Sequence, residues 1–177
     1  MIKKTLVALA IAGSMLAITG CGKKDEIVQH KMITMDSGDI APKIKIGSNL
    51  EIELKDQNGT IHQLTDDTKK VVFAFTKLTG HLITDFLATK DNDFLIKNKM
   101  FYVADVSRMP SIILDYAVLP GIKKLNYPMI LLLDETVADT YKSKTNGDSI
   151  MILTLDKKKV TKADFVSNIE DFQTAIK

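Results

Sequence analysis

Two stretches of unbroken apolar residues do most to limit what this chain can fold into: Val71-Val72-Phe73-Ala74-Phe75 and Met129–Leu133 (MILLL). A strand without polar alternation is covered on both faces, so it belongs inside a sheet with layers above and below. Phe101–Val106 (FYVADV) reads as a third buried strand. Between Val71–Phe75 and Phe101–Val106, apolar residues recur at Leu82, Ile83, Phe86, Leu87, Phe94 and Leu95, a helical spacing with a break at Lys90–Asn92. Between the second and the third, Pro110 suits a first helical position. Ile112, Ile113, Tyr116 and Ala117 then make a short apolar helix face that ends before Pro120-Gly121. Strand–helix–strand taken twice demands parallel neighbours joined by right-handed crossovers.

The flanking segments add antiparallel pieces. Leu50–Leu54 alternates apolar and polar, Asn58-Gly59 is a strong hairpin signal, and Thr60–Leu64 returns. Residues 136–148 are polar and end in Asn146-Gly147; Ser149–Leu155 is a further strand and Lys157-Lys158-Lys159 its turn. A last helix is expected to open at Thr161, with Asp164 three residues on, and to carry Phe165, Ile169, Phe172 and Ile176 on one stripe. The predicted order is hairpin, β-α-β-α, then β-β-α. That is an α/β chain with a mixed sheet and helices on both faces.

The first twenty residues read as an address. Met1–Lys4 carries two positive charges and Leu6–Ile18 is a thirteen-residue apolar run, too short to span a bilayer of about 30 Å hydrocarbon thickness. Ile18-Thr19-Gly20-Cys21 follows directly and resembles the bacterial lipobox. The resemblance implies that Cys21 is diacylated on sulfur and becomes the mature N-terminus. The expected organisation is a signal peptide over 1–20, a lipidated N-terminus and tether over 21–46, and one domain over 47–177. Lys and Arg number 24 against 22 Asp and Glu, and Lys3 and Lys4 make the whole excess. A neutral body gives no footing for nucleic acid, so the expected partners are a membrane, through the lipid, and an envelope protein or peptide. Gly22 stands where lipoproteins kept at the inner membrane often carry Asp. This favours the periplasmic face of the outer membrane in a cell that has two.

The element order from residue 47 onward resembles the thioredoxin-like, redoxin-type fold with its N-terminal hairpin. Tyr127-Pro128 precedes MILLL, where that family places its cis-proline. Thr79-Gly80-His81-Leu82 stands where relatives carry Cys-x-x-Cys. Thr79 and Leu82 thus replace the reactive pair, and Cys21 is the one cysteine in the chain. Thiol exchange needs a thiolate and a second sulfur to resolve the mixed disulfide, so the resemblance implies the shape without the activity. The expectation is a redox-inactive binding domain with no catalytic residue, metal or cofactor. Its groove would be lined by Thr79, Gly80, His81, Leu82, Tyr127 and Pro128 and would accept an extended peptide by main-chain hydrogen bonds. The alternative sets His81 against a carboxylate, Asp105 or Asp134, to hold a small ligand or a metal. His30 and His62 fall in the tether and the hairpin, and no two histidines have metal-ligand spacing.

Overall fold

A computed structural model describes residues 32–177. The signal segment, Cys21, His30 and the first part of the tether lie outside the described residues. Ten strands and six α-helices follow one another: β1 (Ile33–Met35), β2 (Asp39–Ala41), β3 (Ile44–Lys45), β4 (Glu53–Lys55), β5 (Ile61–Gln63), β6 (Lys70–Ala74), α1 (Lys77–Ala88), α2 (Phe94–Lys97), β7 (Met100–Asp105), α3 (Ser111–Ile113), α4 (Leu119–Ile122), β8 (Ile130–Leu132), α5 (Glu135–Tyr141), β9 (Ile150–Asp156), β10 (Lys159–Val166) and α6 (Ile169–Ala175). A π-helical stretch, Leu114–Val118, joins α3 to α4.

Six strands make one sheet in the order β1-β10-β9-β6-β7-β8, and β2-β3 and β4-β5 are separate small hairpins. β6 runs parallel to β7 and β7 to β8, while β9, β10 and β1 are antiparallel to their neighbours. The continuous apolar pattern of Val71–Phe75 has the predicted cause. Phe73 stacks on Tyr141 of α5 across one face, and Val72 faces the opposite layer, where Ile83 and Phe86 of α1 meet Phe172 of α6. Helices therefore cover both faces, with the two small hairpins filling out the first. This mixed sheet is the thioredoxin-like arrangement.

Several expectations are corrected. MILLL becomes β8, parallel to β7 as the two crossovers require, but it stands at the sheet edge, and the strand that follows it pairs antiparallel with β10 rather than with MILLL. Thr161 caps nothing. Lys157 and Lys158 adopt left-handed backbone, φ +47° and +68°, and turn the chain straight back as β10. Phe165 is a strand residue, and α6 starts at an Asn168 cap whose Oδ1 accepts the Asp171 N–H at 2.8 Å. Cross-strand pairing over seven positions outweighs a helical stripe of four residues. The tether is shorter than expected, since Ile33–Met35 is zipped onto Phe165–Ala163 and Ile40 and Ile44 are buried. The polar segment after MILLL holds α5, capped by Asp134.

The helical stretch after Pro110 runs on through Pro120-Gly121. The π turn carries the Leu119 N–H to the Leu114 carbonyl, five residues back, and so absorbs the donor that Pro120 lacks. Its expected apolar face is not packed: Ile112 and Tyr116 are 72% and 81% exposed.

Candidate functional site

At the mouth of α1, Thr76 and Thr79 close the helix start. The Thr76 Oγ1 accepts the Thr79 N–H at 3.2 Å, and the Thr79 Oγ1 accepts the Thr76 N–H at 3.1 Å. The Thr79 hydroxyl donates back to the Thr76 carbonyl at 3.0 Å. This reciprocal box satisfies two N–H groups that a helix start leaves without partners. Thr79 is only 1% exposed, so the residue at the first cysteine position of the resemblance is a buried structural hydroxyl.

The six residues expected to line one groove do not come together. Thr79 and Leu82 border a cleft of about 680 Å³, closed on its far side by Asn146, Ser149, Phe165 and Ser167. The strand antiparallel to β6 is β9, and the segment entering it, Thr145–Ser149, is what faces the α1 mouth. That segment has no proline. Pro128 instead precedes β8, two residues before Ile130, which pairs with Val103 halfway along β7. No described peptide bond is cis. Tyr127 packs lower on α1, its phenol facing Thr84 and Asp85; burial, above all, raises its pKa. Gly80 offers its carbonyl to Thr84 and, at 3.4 Å, to the buried Tyr102 hydroxyl. A Cβ on Gly80 would meet that hydroxyl only at 3.9 Å, so no close approach requires glycine here.

His81 is exposed and makes no side-chain hydrogen bond or ion pair among the described residues. The carboxylates offered as its partners are committed elsewhere. Asp105 accepts from the N–H and hydroxyl of Ser107 and lies 3.6 Å from Arg108, while Asp134 caps α5 by accepting the Val137 N–H. Among the described residues no cluster of three or more His, Cys, Asp or Glu side chains is arranged to hold a metal ion.

The structure pairs a different histidine. His62 Nε2 lies 2.9 Å from Asp56 Oδ2, and Asp56 Oδ1 accepts the N–H groups of Asn58 and Thr60. Burial disfavours the Asp56 charge, but His62 and the two N–H donors outweigh it and lower the pKa. An ionised carboxylate only accepts, so the Nε2 carries the proton and Nδ1 is left as the free ring nitrogen. His62 borders a second cavity of about 330 Å³ with Lys99, Met100, Phe101, Pro128 and Ile130. The sequence signal was an aspartate two residues before Asn-Gly, the usual turn-organising position, but nothing local aimed it at His62.

No protein-family model matches the chain, and no curated protein matches it in sequence. Solved structures do. StoA from Bacillus subtilis is similar with a TM-score of 0.50 at 12% identity, over 74% of this chain and 99% of that one. Peroxidoxin BcpB from Mycobacterium tuberculosis aligns at 20% identity, over 80% and 94%, with a TM-score of 0.48. A peroxiredoxin-like protein from Aquifex aeolicus aligns at 9% identity, over 81% and 96%, with a TM-score of 0.47. At such identities the likeness is one of fold.

Proposed function

We propose that this chain is a lipid-anchored protein of the bacterial cell envelope whose domain binds a protein or peptide segment and exchanges no electrons. The reading is carried by Thr79, the residue at the position of the reactive thiol in the resemblance. It is buried, locked into the helix cap, and followed at Leu82 by a side chain that can neither attack nor leave. What remains at the α1 mouth is the 680 Å³ cleft, with Leu82 and Phe165 as apolar wall and Asn146, Ser149 and Ser167 as hydrogen-bonding rim. A few placed polar groups around an apolar floor suit recognition. The apolar run Leu6–Ile18 leading into Thr19-Gly20-Cys21 supports lipid attachment, and Gly22 supports an outer-membrane address in a cell with two membranes.

A photoreactive residue in place of the exposed Asp148, on the cleft rim, tests the reading in living cells. A single adduct of fixed mass is expected there, and none from the same group at Asp156, on the other end of β9. Reduction of a disulfide substrate by the purified protein overturns the reading, as does the absence of an Asp148-specific adduct.

A small-ligand reading draws its support from His62 rather than His81. Asp56 fixes the imidazole orientation at the border of an apolar cavity of about 330 Å³, the lower end of ligand-pocket sizes. A thermal-shift screen of small hydroxylated and carboxylated compounds, with hits lost in His62→Phe, tests it.

A further inference from the structure

Six of the large apolar side chains exposed in the described residues stand at one end of the sheet. β6, β7 and β8 all run toward that end. Leu78 lies in the first turn of α1, just past β6. Ile112, Ile113 and Tyr116 lie in the first turns of the helix after β7, and Leu133 directly follows β8. β1 runs the other way. Its first residue, Ile33, pairs with Phe165 one position before the end of β10, so Ile33 joins the same end. The six lie on four separate stretches of chain, at β1, α1, the helix after β7 and the end of β8, from the β1 edge to the β8 edge of the sheet. Together they make a broad crown. Ile33 and Leu78 also border the cleft at the α1 mouth, and the other four extend the crown beyond it toward the β8 edge; exposed apolar side chains gathered at one end mark a contact surface.

The chain from Cys21 enters at this end. Eleven residues lie between Cys21 and Ile33, and at about 3.5 Å per extended residue the stretch reaches no further than roughly 40 Å. We infer that the crown rests on the lipid surface into which the acyl chains of Cys21 insert, with Leu78, Ile112 and Tyr116 entering the interfacial layer. This rests on the lipid-anchored reading of the previous section. The contact is apolar: the same end carries exposed Asp134, Glu135, Asp139 and Asp148 beside exposed Lys77 and Lys144. Arg108 is already shared among Asp105, Glu135 and Asp139, at 3.6, 3.0 and 2.6 Å. Among the described residues this end has more carboxylates than free cations and so no attraction to anionic lipid; the hold is through buried hydrocarbon and is insensitive to salt. No helix among the described residues is long and apolar enough to cross the membrane.

The test uses the protein purified from its own membranes and reconstituted in phosphatidylcholine vesicles, with the acylation of Cys21 read by mass. Single cysteines replace Leu78, Tyr116 and, at the opposite end, Ile96. With the native thiol acylated, each takes one environment-sensitive fluorophore. Lipid-borne nitroxide is expected to quench the labels at positions 78 and 116 several-fold more than the label at 96, unchanged in high salt. Equal quenching at all three positions with Cys21 acylated overturns the placement and leaves the binding reading standing. An unacylated Cys21 overturns the placement and the anchored reading together. Protection of position 116, which lies outside the cleft, in cells but not in vesicles means that a protein covers the crown, which also overturns it.

Discussion

Gln57 and Met129 are bonded twice. The Gln57 N–H donates to the Met129 carbonyl at 3.1 Å, and the Met129 N–H donates to the Gln57 Oε1 at 2.8 Å. The Gln57 Nε2 also donates to the Tyr127 carbonyl at 2.8 Å, so one side chain clasps the backbone on both sides of Pro128. The hairpin β4-β5 is thereby fixed to the entry of β8. Gln57→Ala leaves a buried N–H and a carbonyl without partners, at about 1–3 kcal/mol for each such group. Urea denaturation is expected to show a loss of about 2–4 kcal/mol, with a Gln57→Glu variant recovering little because its carboxylate cannot donate to Tyr127.

Asp56 sets an acid limit on stability. Its folded pKa is depressed, so the stabilisation is present above the unfolded carboxylate value of about 4 and is lost as pH falls through the folded value. Stability measured from pH 6 to pH 2 is expected to drop below about pH 4, and the drop is expected to be shallower in Asp56→Asn. At neutral pH the same substitution costs about 1–3 kcal/mol, the scale of hydrogen bonds to a charged group.

The Thr76–Thr79 box predicts a stability effect without a catalytic one. Thr79→Val keeps the shape and removes the hydroxyl that takes the Thr76 N–H. A loss of about 1–2 kcal/mol in thermal or chemical denaturation is expected, in the range of a removed cap. Thr79→Ser is expected to recover most of it.

Lys157 and Lys158 are side-chain-bearing residues held in left-handed backbone between β9 and β10. That conformation costs about 1–2 kcal/mol for each such residue, and Asn-Gly adopts it readily. Lys157→Asn with Lys158→Gly is expected to raise the unfolding midpoint, by about 1–2 kcal/mol in free energy. An unchanged or lowered midpoint would contradict the turn geometry.

Gly147 makes the opposite case. A Cβ there would stand 2.8 Å from the Ser143 carbonyl oxygen and against the Lys142 side chain. Gly147→Ala must therefore move the 143–149 segment that walls the cleft. It is expected to weaken crosslinking from Asp148 while unfolding stays cooperative, whereas Gly80→Ala leaves crosslinking intact.

The buried strands were legible because their coverage leaves a direct trace in composition. Val71–Phe75 lies between two layers and reads so, and Asn58-Gly59 sits in the turn it announces, Gly59 at φ +84°. The β10 error came from two signals of different range. Phe165, Ile169, Phe172 and Ile176 have helical spacing locally, but pairing with Ile150–Asp156 decides the backbone of Phe165 from across the turn. Pro128 misled in the same way. Its place before an apolar strand was correct, but which strand lies beside β6 depends on sheet order, which no local motif encodes. His62 was passed over because its partner lies six residues away around an Asx turn. The unpacked face at Ile112 and Tyr116 looked like core, since apolar spacing does not say what a face meets.

Thr34 donates to Asp164 at 2.6 Å across 130 positions of sequence, and Lys162 Nζ lies 2.7 Å from the other carboxylate oxygen as a charge contact. The first strand of the described chain is thus held by the last. A ribosome delivering this polypeptide from its amino end has released Ile33 long before Phe165 exists. Until β10 has been made, one border of the sheet stands open. Nascent protein halted anywhere before β10 therefore offers bare strand edges to chaperones and proteases.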